Sequence, residues 1–300
     1  MKKSPPVVFI DRATGEKTVE SVMGDKALRF AYETLLGRTL WPVLFGSRAV
    51  SAFLGRRYDS PKSKKDIASL ASIPGCRPEE AEKPLEDYAS FNEFFTRRLK
   101  PGARPFGDGF ASPADGRLAI YPSAAADAPF PLKGAVVNLR EVFSPGNPSR
   151  VLPERFDIIV VRLAPVDYHR FHFPCDCKVA SSPRIVPGRY DSVNPVALLR
   201  RPDVYARNER HIAECEAAFG RFWMVEVGAF GVGTIVQTFK PGPVAKGSEK
   251  GFFKFGGSTV IVAAEAGALE FDRDIAANSA AGFETRVLCG ERIAAAPGAA

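Results

Sequence analysis

Apolar residues early in the chain return at helical intervals. After Asp25, Leu28, Ala31, Leu35 and Leu36 follow this spacing and stop at Gly37, while Leu44, Phe45, Ala49, Phe53 and Leu54 repeat it up to Gly55. The pattern predicts two amphipathic helices. Ser90 followed by Glu93 is a capping box that opens a third, with Phe91, Phe94, Phe95 and Leu99 as its apolar stripe and Pro101-Gly102 as its end. Farther on the texture changes to short β-type runs, Arg117–Tyr121, Phe156–Leu163, Val179–Val186, Phe222–Val227, Val232–Phe239 and Val260–Ala264, separated by proline and glycine turns. The fold class expected is α+β: a mostly antiparallel, sandwich-like β core with N-terminal amphipathic helices. We place the division at a helical region over 1–105 and a β-rich domain over 106–300. The Ala/Pro-rich stretches 122–131 and 294–300 read as a loop and a frayed tail, and no internal repeat is evident.

Charge sharpens the reading of the N-terminal part. The 300-residue chain has 41 Lys and Arg against 34 Asp and Glu, a formal charge of +7, and its 45% hydrophobic content is that of an ordinary globular protein. Most of the excess sits in residues 1–57, where ten basic residues face five acidic ones. A basic segment with apolar helical faces, and with Trp41 and Tyr58 nearby, suits an interfacial anchor on anionic lipid, because apolar burial and charge attraction add. The same faces also suit a helical cap packed on the core. No stretch of about 18 apolar residues occurs, as a spanning helix requires, and the run Val7–Ile10 is too short for a signal peptide. Membrane contact is therefore expected to be peripheral.

Candidate chemistry is sparse. Cys76, Cys175, Cys177, Cys215 and Cys289 are odd in number and scattered, which suits a reducing compartment rather than a disulfide framework. Cys175-x-Cys177 lacks the spacing and the second pair of a structural zinc site, so no metal is expected. Two of the three histidines, His169 and His172, lie three apart between Pro165 and Pro174. On a regular strand they would face opposite ways; the bracketing prolines predict instead a turn or bulge in which both enter one site. Ser112-Pro-Ala-Asp115-Gly reads alone as a turn, and Phe255-Gly-Gly-Ser258-Thr as a loop entering a strand. Together, Asp115, a histidine of the pair and Ser258 supply an orienting carboxylate, a general base and a hydroxyl nucleophile.

A resemblance gives these residues specific roles. Ser90-Phe-Asn-Glu-Phe-Phe-Thr-Arg-Arg-Leu-Lys-Pro-Gly-Ala-Arg-Pro, Ser112-Pro-Ala-Asp-Gly, Asp167-Tyr-His-Arg-Phe-His, Ala206-Arg-Asn-Glu-Arg, Lys246-Gly-Ser-Glu-Lys-Gly-Phe-Phe-Lys-Phe and the following Gly-Gly-Ser-Thr stand in the order found in phosphatidylserine decarboxylases. The chain resembles that family over at least residues 90–290, departing at Gly256, where many members carry leucine or valine. The resemblance implies a self-processing zymogen of phospholipid biosynthesis. In it Ser258 attacks the Gly257 carbonyl, with His172 as base and Asp115 holding the imidazole. Elimination then separates chains 1–257 and 258–300 and converts Ser258 into a covalent pyruvoyl group. The substrate amine would form a Schiff base with that group, CO2 would leave, and His169 would deliver a proton to give phosphatidylethanolamine. The partners implied are phosphatidylserine on an anionic membrane surface and the complex of the two cleaved chains, and members of the family are often homodimers. The location implied is peripheral, on the cytoplasmic face of the cell membrane or on an organelle membrane. Two other readings stay open at this stage: a pyruvoyl decarboxylase of a soluble amino acid, and a non-catalytic basic β-sandwich module. For nucleic acid as a partner of the latter there is no interleaved aromatic and basic strand or helix-turn-helix signature.

Overall fold

In the computed structural model, which describes residues 7–20, 34, 37, 48–127, 130–132, 135–143, 152–193, 198, 203–229, 234–256 and 258–295, the long apolar runs become the middle of a large sheet. Its strands are β1 (Val8–Asp11), β2 (Lys17–Val19), β3 (Gly116–Ala125), β4 (Arg155–Leu163), β5 (Cys177–Val179), β6 (Arg184–Val186), β7 (Arg210–Ala217), β8 (Gly220–Gly228), β9 (Gly242–Val244), β10 (Ser258–Glu265) and β11 (Glu284–Val287). Across the sheet they run β9-β5-β7-β8-β10-β4-β3-β11-β1-β2, with β6 on β7. Apart from the parallel pair β1 and β11, neighbours are antiparallel. The fold is α+β with few helices, as expected.

The central strands are apolar at nearly every position because both faces are covered. Ile159, Val161, Val260, Val262 and Met224 pack on one side, and Ile158, Val160, Ile261, Ala263 and Trp223 on the other. A third cluster closes the end of the sheet at which β4 stops and β10 starts. It comprises Ile67, Leu70, Tyr88, Phe91, Phe94, Phe95 and Val166, with Phe255 and Tyr58 against it.

Several expected boundaries shift. The helix opened by Ser90, whose hydroxyl accepts from the Glu93 N–H at 3.2 Å, ends at Phe95. The Thr96 hydroxyl turns back onto the Asn92 carbonyl at 2.8 Å, and Leu99 pairs with Ala81 in an isolated bridge instead of extending the stripe. The second helix does not stop at Gly55 but runs over Arg48–Asp59, because Tyr58 gains the rings of Phe91 and Phe255 as neighbours. The first expected helix, Asp25 to Gly37, lies outside the described residues but for Thr34 and Gly37, and Trp41, Leu44 and Phe45 lie outside them too. The run Val179–Val186 divides into β5 and β6 around Ser181-Ser-Pro183, and of Val232–Phe239 only Ile235–Gln237 forms a strand among the described residues.

Within the region expected to be helical, β1 and β2 form a hairpin that joins the sheet through β11. The buried Arg162 guanidinium fastens it, reaching Glu20 just past β2 at 2.8 Å and Glu284 of β11 at 2.8 Å. The partner strand lies far along the chain, so local pattern could not reveal this pairing.

Candidate active site

At one end of the sheet β3 and β10 begin while β4 and β11 end. Ser258 stands opposite Leu163, Arg117 opposite Arg162, and Val287 opposite Gly116. Ser258, Leu163, Gly116 and Val287 therefore form a row across four strands. With about 4.8 Å per strand, Ser258 and Gly116 lie roughly 10 Å apart. Asp115 and Cys289 project just beyond this row. Glycine is required at 116, since a Cβ there would lie 2.7 Å from the Arg162 carbonyl oxygen. The turn before it is held by the buried Ser112 hydroxyl, which donates to the Ala114 carbonyl at 2.7 Å.

The Asp115 carboxylate is almost completely buried and engaged at both oxygens. Arg104 donates Nε to Oδ1 at 2.8 Å and Nη2 to Oδ2 at 2.6 Å, and the Cys289 N–H adds a third bond to Oδ1 at 2.8 Å. His172 approaches from the strand Arg170–His172, where its N–H donates to the Pro113 carbonyl at 2.8 Å. Its ring lies along Tyr168, and Nδ1 is 3.4 Å from the Cys289 sulfur. Burial lowers its pKa to about 4, against the opposing pull of Glu249. The structure thus gathers Asp115 and His172 around Cys289. The direct contact expected between carboxylate and imidazole is not made, because Arg104 and a main-chain N–H already fill the near side of Asp115.

His169 occupies separate ground. Its ring is fully buried against Phe95, with centroids 3.9 Å apart, and Nδ1 sits 2.9 Å from the Asp167 carbonyl. A carbonyl can only accept, so Nδ1 carries the hydrogen and Nε2 presents a lone pair. That Nε2 has no hydrogen-bond partner among the described residues. Burial lowers this ring to about 3, with Asp167 opposing. The turn or bulge expected to carry both histidines into one site is not formed by their own segment, and the two rings have different neighbours. Arg170–His172 is a regular strand, and the irregularity falls on its partner, Glu249–Phe253, between Glu249 and Gly251. His172 therefore sides with Tyr168, and His169 faces the phenylalanine cluster.

Ser258 is the first residue of β10, fully buried, and its hydroxyl makes no hydrogen bond among the described residues. An orphaned buried hydroxyl costs about 1–3 kcal/mol, so its position calls for a chemical explanation. Gly257, the other half of the expected scissile bond, lies outside the described residues. Gly256, the position of the departure, has φ +154, a backbone conformation that glycine adopts far more readily than leucine or valine.

Comparison with known proteins is decisive at this point: the family model described as phosphatidylserine decarboxylase matches residues 91–295. The chain belongs to the phosphatidylserine decarboxylase family. A phosphatidylserine decarboxylase proenzyme of Chlamydia pneumoniae is 39% identical over 290 residues, covering 95% of this chain and 96% of its own. Its namesakes from Fusobacterium nucleatum and Ruminiclostridium cellulolyticum are 37% and 38% identical, covering 96% and 97% of their own lengths. Membership of the phosphatidylserine decarboxylase family makes the chain an enzyme and sets aside the non-catalytic basic module.

Two residues at the site escaped the sequence reading. Arg104 stands inside a quoted block, in Pro-Gly-Ala-Arg-Pro, where it passes for part of a turn. Cys289 carries no local signal, and only the fold brings its N–H to Asp115, 174 positions away.

Proposed function

We propose that the chain cuts itself between Gly257 and Ser258, turns Ser258 into a pyruvoyl group, and then decarboxylates phosphatidylserine to phosphatidylethanolamine and CO2. The observation that carries this reading is the Ser258 hydroxyl, buried at the head of a central strand with no hydrogen-bond partner among the described residues. Such a hydroxyl is poorly stabilised where it stands and is available to attack the preceding carbonyl, with His172 as the base that receives its proton. Burial keeps the ring neutral near pH 7, the form that accepts a proton, while its pKa of about 4 makes it a weaker base than a free imidazole. Arg104 and Asp115 hold the Cys289 segment against that ring. The pyruvoyl group, once formed, supplies a ketone that captures the substrate amine and accepts the electron pair released with CO2. His169 Nε2 is an acceptor in the resting protein. It would take the proton of the substrate ammonium and return it to the α-carbon after CO2 departs, fulfilling its proposed role in proton delivery.

The lipid substrate calls for a surface that meets the bilayer. Among the described residues no helix is long and apolar enough to cross a membrane. The helix Arg48–Asp59 leaves Phe53 67% exposed and ends in Arg56 and Arg57, and exposed Lys62, Lys64 and Lys65 follow. This combination supports peripheral docking on anionic lipid, and we assign it to the cytoplasmic face.

Denaturing mass spectrometry tests the proposal. Purified protein should divide into residues 1–257 and 258–300, the second beginning with a group blocked to Edman sequencing, whereas Ser258→Ala should stay one chain of 32.5 kDa apart from the lost oxygen. Decarboxylase activity from uncut Ser258→Ala would end the pyruvoyl reading.

A further inference from the structure

The contacts of His172 assign a task to a residue outside the proposed triad. Cys289 is 1% exposed, and burial raises its thiol well above its ordinary value, so the sulfur keeps its hydrogen. Two acceptors lie within its reach, the Pro113 carbonyl oxygen at 3.6 Å and, when the ring leaves it bare, His172 Nδ1 at 3.4 Å. The same oxygen accepts the His172 N–H at 2.8 Å, and two lone pairs allow both bonds. With the S–H directed at Pro113, the sulfur turns a lone pair toward His172 Nδ1, 3.4 Å away. A neutral imidazole carries one ring hydrogen. On Nδ1 it completes the sequence Nδ1–H to sulfur and S–H to carbonyl. On Nε2 the thiol would have to turn its hydrogen from Pro113 to Nδ1, so that one hydrogen bond would stand where the other tautomer makes two.

We propose that Cys289 is a positioning residue for self-cleavage: its thiol holds His172 in the tautomer with the hydrogen on Nδ1, leaving Nε2 free to take the Ser258 proton. Asp115 acts one step behind, fixing the main chain of Cys289 through the 2.8 Å bond from its N–H. The chain of influence thus runs from Arg104 through Asp115 and Cys289 to the ring. This inference rests on the assignment of His172 as the base.

The tautomer can be read without any cleavage. In uncut Ser258→Ala protein, two-bond proton–nitrogen correlation spectra should show His172 with its hydrogen on Nδ1, and adding Cys289→Ala should shift the ring to the other tautomer or to a mixture. Cys289→Ser, whose hydroxyl can also donate to Pro113 and accept from Nδ1, should restore the original pattern. With Ser258 present, Cys289→Ala should slow cleavage roughly three- to tenfold, the worth of one lost hydrogen bond, and Cys289→Ser should recover most of the rate. A hydrogen on Nε2 in the parent, or an Nδ1 hydrogen that persists in Cys289→Ala, would overturn the role of the thiol. Normal cleavage by His172→Ala would instead overturn the base itself, whatever tautomer the spectra show.

Discussion

Arg104 holds both oxygens of a carboxylate that water scarcely reaches, so the pair is worth most when one member is removed. Arg104→Met should destabilise the uncut Ser258→Ala protein by about 3–5 kcal/mol, because the Asp115 charge would stay buried with a single main-chain donor. Urea denaturation measures this, and a loss below about 1 kcal/mol would mean that Asp115 finds another partner. The histidines make a second prediction, on pH. His169 and His172 titrate at about 3 and about 4 in the folded protein, below the value near 6.5 of an unfolded chain. Between those limits the unfolded chain binds protons that the folded chain refuses. Stability is therefore lost as pH falls from about 6.5 toward 4, by up to about 1.4 kcal/mol per unit for each ring. Denaturation midpoints of the uncut protein from pH 7.5 to 4.5 should show this slope, and a His169→Gln version should show a shallower one. Parallel curves would remove His169 from the account. Asp115, His169, His172 and Ser258 stood out as candidates in the sequence because each lies in a block that resembles one of the family's, although the segments of Asp115 and Ser258 read alone as a turn and a loop. Arg104 and Cys289 did not, since one looks like turn punctuation and the other acts largely through its main chain.

The strands and helices were legible wherever a local pattern decides them and obscure wherever a distant partner does. Phe156–Leu163 and Val260–Ala264 are recognisable because both faces are buried, which removes the polar alternation. The strand Arg210–Ala217 went unread, as its Arg, His and Glu side chains break up the apolar run and its identity comes from pairing along the length of β8. Helix ends were misjudged for the same reason: Thr96 and Tyr58 act through contacts that spacing does not encode. Close approach between elements is tested at Gly116, where β3 and β4 meet beside the site. Gly116→Ala would force a Cβ to within 2.7 Å of the Arg162 carbonyl oxygen, and the strands must separate to admit it. Overpacking of this kind costs about 1–3 kcal/mol, and cleavage should slow as the row from Ser258 to Val287 is displaced. An unchanged melting temperature together with an unchanged cleavage rate would show that the strands yield freely there.

On the scale of the whole molecule, the N-terminal hairpin is tied to the sheet by charges buried as a group. Arg162 lies between Glu20 and Glu284, and Arg117 reaches both Glu20 and Asp167. Glu20→Ala should cost about 3–5 kcal/mol by leaving two buried guanidinium groups short of a partner, and limited proteolysis should then open residues 7–20 first. The basic segment gives a prediction for the outer surface: binding to vesicles containing phosphatidylserine should weaken as salt rises toward about 1 M, where the screening length falls to roughly 3 Å. Equal affinity for neutral vesicles would show that charge plays no part. The place of β10 in the sheet has a last consequence. It lies between β8 and β4 and is bonded to both along its length, so a cut just before Ser258 severs the backbone without releasing either piece. With the cleavage proposed above, the matured enzyme would be two chains woven through one sheet, a state that only an intact precursor can reach by unimolecular folding. Once denatured, its pieces must find each other by diffusion. Recovery after unfolding should depend on protein concentration for the cut form and not for Ser258→Ala, which makes the enzyme's working lifetime a matter of how slowly it unravels.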